Sequence, residues 1–163
     1  MRFSGVLLIL ALAFGVSACS SKFKRYNGPE VTQIYVQKSE RRMVLLHGDR
    51  VLKSYDIDLG FAPTEHKQFE GDGRTPEGAY VIDRRNPNSQ YHLSLGISYP
   101  NERDIAAARA ANKSPGGEIF IHGQAGHGKG RADWTAGCIS VNDREIERIY
   151  AMVRNGTPIY IAP

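Results

Sequence analysis

The chain has 163 residues, 41% of them hydrophobic and 23% charged, with a formal net charge of +4. That length gives room for one domain with a proper core. Its basic residues are scattered, with no lysine–arginine run interleaved with aromatics, which speaks against nucleic-acid binding.

Residues 1–18 read as a secretory signal: Arg2 is basic, an apolar run covers 6–14, and small residues follow. The apolar run is too short to span a bilayer as a helix. Val16-Ser17-Ala18-Cys19 resembles the lipobox of bacterial lipoproteins, in which the cysteine is lipidated and becomes the new N-terminus. That resemblance implies a mature chain of 163 − 18 = 145 residues, lipid-anchored at Cys19. Ser20, rather than aspartate, after the cysteine implies sorting to the outer membrane. Residues 19–30 then read as the lipidated cysteine and a polar tether, leaving 31–163 as the folded domain.

Within that domain, 31–37 alternates and is rich in β-formers. Residues 41–46 and 51–57 flank the turn-like His47-Gly48-Asp49-Arg50 and predict a β-hairpin. His47 reads as a solvated turn residue. A glycine-containing loop ends in Gly71-Asp72-Gly73-Arg74-Thr75-Pro76-Glu77-Gly78, and strands are predicted over 79–83 and 90–97. Asn101 with Asp104 predicts a capped helix to 111. Asn142 with Glu145 predicts a second, with Ile146, Ile149, Tyr150 and Val153 at helical spacing. A final strand is predicted over 157–161. The element list is mostly strands with two helices, so the expected class is mainly β.

Chemistry concentrates in residues 118–142. A short apolar strand, 118–121, delivers His122 and Gly123; a glycine-rich loop follows; then Thr135-Ala136-Gly137-Cys138 leads into the apolar run 139–141. A free cysteine is commonly a small buried hydrophobe. An unpaired thiol in an exported domain equally marks a nucleophile, and both readings stand on composition alone. A disulfide between Cys138 and Cys19 is disfavoured, because Cys19 ends the targeting segment. His122 is the preferred base for Cys138, taking the thiol proton to give a thiolate–imidazolium pair. His127 competes, but glycines surround it and base catalysis needs fixed geometry. His66 and His92 carry no signal by themselves. No CxxC, HExxH or carboxylate pair beside the histidines suggests a metal site, so no metal or cofactor is expected.

These residues together resemble the L,D-transpeptidase catalytic domain family of the YkuD type, in its periplasmic murein subgroup. The family pattern is a histidine–glycine pair, a loop, then serine or threonine, a variable residue, glycine and cysteine. Here these are His122-Gly123 and Thr135-Ala136-Gly137-Cys138. The stretches at 71–78, 97–100 (Ile-Ser-Tyr-Pro), Asp133-Trp134 and Gly156-Thr157-Pro158 match as well, so the resemblance covers 31–163. Two departures stand out: Ala136 where many relatives have histidine, and Ser140 where many have arginine, which removes one contact to a substrate carboxylate. Arg131 is a candidate replacement for that cation.

The resemblance implies a curved β-sandwich with peripheral helices, and an L,D-transpeptidase of peptidoglycan stem peptides. Cys138 would attack the carbonyl on the L-centre side of a terminal D-alanine and form a thioester. His122 would act as base and then acid, oriented by the Gly123 carbonyl. Backbone N–H groups of Gly137 and Cys138 would be oxyanion donors, and Tyr99, Trp134 and Thr135 would wall the substrate pocket. The acceptor would be the amine of a second stem peptide or of a murein-linked lipoprotein, in the periplasm. Two alternatives share the sequence features: hydrolysis at the same site, as a carboxypeptidase or an enzyme detaching lipoprotein from murein, and a lipid-anchored murein-binding module without catalysis.

Overall fold

A computed structural model describes residues 21–163; the predicted signal and Cys19 lie outside the described residues. Alternation of apolar and polar side chains builds the first half of the sheet. Strand β1 (Gln33–Gln37) buries Ile34 and Val36, and β2 (Arg42–His47) buries Met43 and Leu45. A tight turn at Gly48-Asp49 brings back β3 (Arg50–Asp56), pairing His47 with Arg50 as the predicted hairpin requires. His47 is exposed there, with its ring Nδ1 bonded to the Glu30 carbonyl.

Strand β4 (Gly78–Asn86) is longer than predicted and bridges two halves. Residues 78–81 pair with the last strand, Pro158–Ala162, while residues from Ile82 onward pair with Ser94–Ile97, with an irregularity between Ile82 and Arg84. Residues 90–93, predicted as strand, stay out of the ladder. Asn86 and Ser89 side chains accept the N–H groups of Asn88 and Tyr91, a turn chemistry that diverts the chain, and His92 has φ +75°.

Numbering the remaining strands β5 (Ser94–Ile97), β6 (Phe120–His122), β7 (Ile139–Ser140) and β8 (Pro158–Ala162), the sheet order is β3-β2-β1-β8-β4-β5-β6-β7. One buried core, from Val31 through Ile161, draws on both halves of the curled sheet. Both helices carry the predicted capping boxes: α1 (Glu102–Ala110) on Asn101 and Asp104, α2 (Asp143–Met152) on Asn142 and Glu145. The apolar stripe of α2, Ile146, Ile149 and Tyr150, is buried in that core. The predicted tether is docked on the domain over residues 22–24. Lys22 donates to the Pro87 and His92 carbonyls, Lys24 pairs with Glu147 at 3.2 Å, and the Phe23 ring lies 6.4 Å from that of Tyr150. Among the described residues no helix is long and apolar enough to cross a membrane.

Candidate functional site

The short parallel pair β6–β7 sets the geometry. Ile121 pairs with Ile139 and His122 with Ser140, so Cys138, two residues before Ser140, projects from the same face as His122. The Phe120 N–H reaches the Cys138 Sγ at 3.4 Å, placing the sulfur one residue pair back from the histidine. Both side chains open onto a cavity of about 440 Å³, walled by the 86–91 turn, Ser94, Glu118 and Phe120.

His122 is 2% exposed, and its Nδ1 lies 2.6 Å from the Gly123 carbonyl oxygen. A carbonyl only accepts, so Nδ1 carries the proton and the Nε2 lone pair is the ring's one acceptor. Gly123 must be glycine: a Cβ there would meet Asp143 Oδ1 at 2.7 Å and the Tyr91 carbonyl oxygen at 2.8 Å. Asp143, at the start of α2, accepts the N–H groups of Gln124 and Ala125 and so fixes how the chain leaves the site. Burial lowers the His122 pKa from its ordinary value, against the raising effect of the Gly123 bond.

Cys138 is a free, partly covered thiol. Burial pushes its pKa up to about 11, although the Phe120 N–H and the Lys67 cation act the other way. Desolvation disfavours the charge on each partner and so works against the expected thiolate–imidazolium pair. The turn before the cysteine is held by Thr135, whose Oγ1 donates to the Cys138 carbonyl at 2.7 Å and accepts from the Gly137 N–H at 3.1 Å. That bond occupies the Gly137 N–H, one of the two expected oxyanion donors; the Cys138 N–H has no partner among the described residues. Gly137 itself has φ +135°, and a Cβ would lie 2.7 Å from the Arg74 carbonyl oxygen, so only glycine fits this corner.

The three expected pocket residues fall elsewhere than on the cavity wall. Tyr99 is buried, donates to the Pro115 carbonyl at 2.9 Å and packs on Tyr80. Trp134 stands edge-on to His122, with ring centroids 5.7 Å apart, and its buried Nε1 has no partner among the described residues. Thr135 shapes the turn, as above. Ser140 is fully buried, and Arg131 is exposed and lines neither this cavity nor its neighbour. His127 meets Tyr91 edge-on at 5.3 Å. His66 and His92 face carboxylates instead, Asp104 at 3.2 Å and Glu147 at 3.0 Å. Among the described residues no group of three His, Cys, Asp or Glu side chains could hold a metal ion.

Sequence reasoning missed Tyr91 and Lys67. The Tyr91 ring stacks on His122 at 4.4 Å and 25°, with Trp134 5.8 Å away, and reading 90–97 as strand hid this. The Pro87-Asn88-Ser89 turn signal just before it was the available clue. Lys67 lines a second cavity of about 290 Å³ that also reaches Cys138. It is 3% exposed, and no periodicity marks it.

Comparison with known proteins agrees with this architecture. The family model for the L,D-transpeptidase catalytic domain, YkuD, matches residues 32–161. YafK of Escherichia coli (strain K12) is 24% identical over 151 residues, covering 89% of this chain and 56% of YafK. The helical cell shape determining protein Pgp2 from Campylobacter jejuni superposes with a TM-score of 0.63 at 25% identity, covering 84% of this chain and 48% of Pgp2. Bd1075 of Bdellovibrio bacteriovorus superposes with a TM-score of 0.55 at 26% identity, covering 81% and 48%. The chain thus spans about half the length of these relatives. With a matching domain model over most of its length and the same mainly-β fold in its structural neighbours, the chain belongs to the L,D-transpeptidase catalytic domain family.

Proposed function

We propose that this chain is an L,D-transpeptidase that rearranges peptidoglycan stem peptides through a Cys138 thioester. One observation carries the reading: a thiol and an imidazole with its acceptor nitrogen free share one face of adjacent strands and open onto one cavity. In the first half-reaction His122 Nε2 takes the Cys138 proton as sulfur bonds the carbonyl carbon on the L-centre side of D-alanine. The C–N bond then breaks, and the departing amine leaves with the proton from His122. In the second, an acceptor amine attacks the thioester and gives a proton to His122; the C–S bond breaks and the sulfur regains it. The Cys138 N–H is the one backbone donor at this corner left to meet the oxyanion.

Because burial disfavours charge on both thiol and imidazole, proton transfer is expected to accompany attack rather than precede it. The amine of a second stem peptide, or of a murein-linked lipoprotein, serves as acceptor; water at the same site would make the enzyme a carboxypeptidase or a lipoprotein-releasing hydrolase. The family membership and the lipobox-like Val16-Ser17-Ala18-Cys19 together support work in the periplasm from a lipid anchor at Cys19, probed by following wild type and Cys19→Ala in membrane fractions.

The test is incubation of the protein with purified disaccharide-tetrapeptide, with products read by mass spectrometry. A cross-linked dimer with released D-alanine is expected, at least about 10³-fold reduced in Cys138→Ala and about 10²-fold in His122→Ala. Tripeptide without dimer moves the assignment to hydrolysis. Binding of the muropeptide with no cysteine-dependent product overturns it in favour of a binding module.

A further inference from the structure

Residues 22–24, read from the sequence as part of a polar tether, reach the segment that walls the catalytic cavity. Between the end of β4 at Asn86 and the start of β5 at Ser94, residues 87–92 lie outside the sheet ladder. Four of them, from Asn88 to Tyr91, line the 440 Å³ cavity that holds His122 and Cys138. The turn's own bonds are short-range. Asn86 and Ser89 side chains accept the N–H groups of Asn88 and Tyr91, and the Leu93 N–H donates to the Tyr91 carbonyl at 3.0 Å. His92, at φ +75°, holds a conformation that costs any residue with a Cβ. Yet Tyr91 is the residue whose ring is stacked on His122 at 4.4 Å, so its placement bears on the base.

The N-terminal strap supplies what the turn lacks. Lys22 Nζ donates to the Pro87 carbonyl at 2.7 Å and to the His92 carbonyl at 3.2 Å, so one ammonium joins the two ends of the turn. An ammonium carries three donors and no fixed plane, which suits two carbonyls that approach from different directions. Two residues on, Lys24 meets one oxygen of Glu147 at 3.2 Å, and the other oxygen of that carboxylate lies 3.0 Å from His92 Nε2. Both lysines thus converge on His92, the neighbour of Tyr91, one through its carbonyl and one through its ring. The strap is folded to present them: Ser21 Oγ accepts the Phe23 N–H at 3.1 Å, and the Ser21 carbonyl accepts from Lys24 Nζ at 2.9 Å. Beyond the lysines, Tyr26 packs against the core and fixes the strap a second time. Contacts this exposed contribute little to global stability, since water competes for the charged groups. Placement is another matter, because catalysis responds to displacements of about an ångström that leave a domain folded.

We propose that Lys22 is a positioning residue for the transpeptidase reaction, clamping the 87–92 turn so that Tyr91 is held against His122, with Lys24 and Glu147 in support. Its effect on rate presupposes the transpeptidase reading; the clamp on the turn stands on the contacts alone. The segment that follows the predicted signal is then part of the active-site wall and not only a spacer.

The experiment compares the full chain with its Lys22→Met variant, reading hydrogen exchange at the Asn88, Tyr91 and Leu93 amides alongside kcat and KM on disaccharide-tetrapeptide. Exchange at these three amides is expected to rise at least about tenfold in Lys22→Met, with that of β1 and β2 unchanged. In the same variant kcat should fall about fivefold with KM within about twofold of wild type, and Lys22→Arg should recover most of both losses. The loss in kcat should vanish when Tyr91→Leu is already present, because no stacked ring is then left to position. Unchanged exchange in the turn overturns the clamp. So does a rise shared by β1 and β2, since that marks a general loss of stability. A loosened turn with unaltered kcat, or a loss that persists in full beside Tyr91→Leu, overturns the positioning role. If wild type shows no cysteine-dependent turnover, the transpeptidase reading falls, and the exchange rates decide the clamp by themselves.

Discussion

The two halves of the sheet are built to different rules. In β3-β2-β1-β8, strands of five to seven residues pair along long ladders, with one register shift between Leu45 and Leu46, and their buried side chains are apolar. In β5-β6-β7 the strands shorten to four, three and two residues, and polar Ser94, His122 and Ser140 lie across from one another. Long ladders supply a rigid wall. Short ones end early, so their last side chains stand at corners where a cavity begins, and two of those corners, at Gly123 and Gly137, need glycine to form. The difference teaches that in this molecule stability and reactivity are assigned to separate strands.

That division is open to attack from both sides. The sharpest contrast pairs Cys138→Ala, at least about 10³-fold down in activity with a melting temperature near wild type, against Leu45→Ala in β2. Leu45 is fully buried, so its truncation should cost about 2–5 kcal/mol in denaturant unfolding while leaving kcat/KM per folded molecule unchanged. A Leu45→Ala enzyme that stays stable but slow would dissolve the distinction. Gly123→Ala should breach the boundary, since its Cβ strikes Asp143 and the Tyr91 backbone: about 1–3 kcal/mol of stability and about 10²-fold in kcat are expected to go together.

A smaller effect tests Tyr91 as a positioning residue. Tyr91→Leu removes the ring stacked on His122 and is expected to lower kcat about tenfold with KM little changed, whereas Tyr91→Phe should behave as wild type. Equal loss in both variants would point to the hydroxyl and away from the stack. The subtlest measurement is the pH dependence of kcat/KM. On the proposed mechanism neutral His122 is the base, and burial holds its pKa below the ordinary 6.5, so activity should rise with pH to half its plateau at a pH below 6.5. Unfolded His122 binds a proton more readily than folded, so this group also erodes stability as pH falls below 6.5. A midpoint above 6.5 would contradict the burial argument.

The regular half of the fold was legible from period-two alternation, and both helices from Asn101–Asp104 and Asn142–Glu145, because these signals are local. The site was legible where glycine marks a corner: Gly123 after His122 and Gly137 before Cys138. What escaped was set by distance in the chain. Lys67 is made a cavity wall by Asp72 and by packing that no window of sequence contains. Tyr91 was misplaced because its β-forming composition outweighed the turn residues just before it. Tyr99, Trp134 and Thr135 were expected to wall the pocket, but Tyr99 packs on Tyr80, Trp134 stands edge-on to His122 and Thr135 folds the turn before Cys138.

Burial of the Cys138 thiol has a consequence for how it meets reactive small molecules. Burial pushes the Cys138 pKa up to about 11, so at pH 7 the thiol rather than the thiolate is the favoured form. Oxidants and general alkylators act on the thiolate, so they find Cys138 almost wholly in its inert form. On the proposed mechanism, a cysteine whose burial favours the thiol would react slowly with such reagents until a substrate is seated beside it.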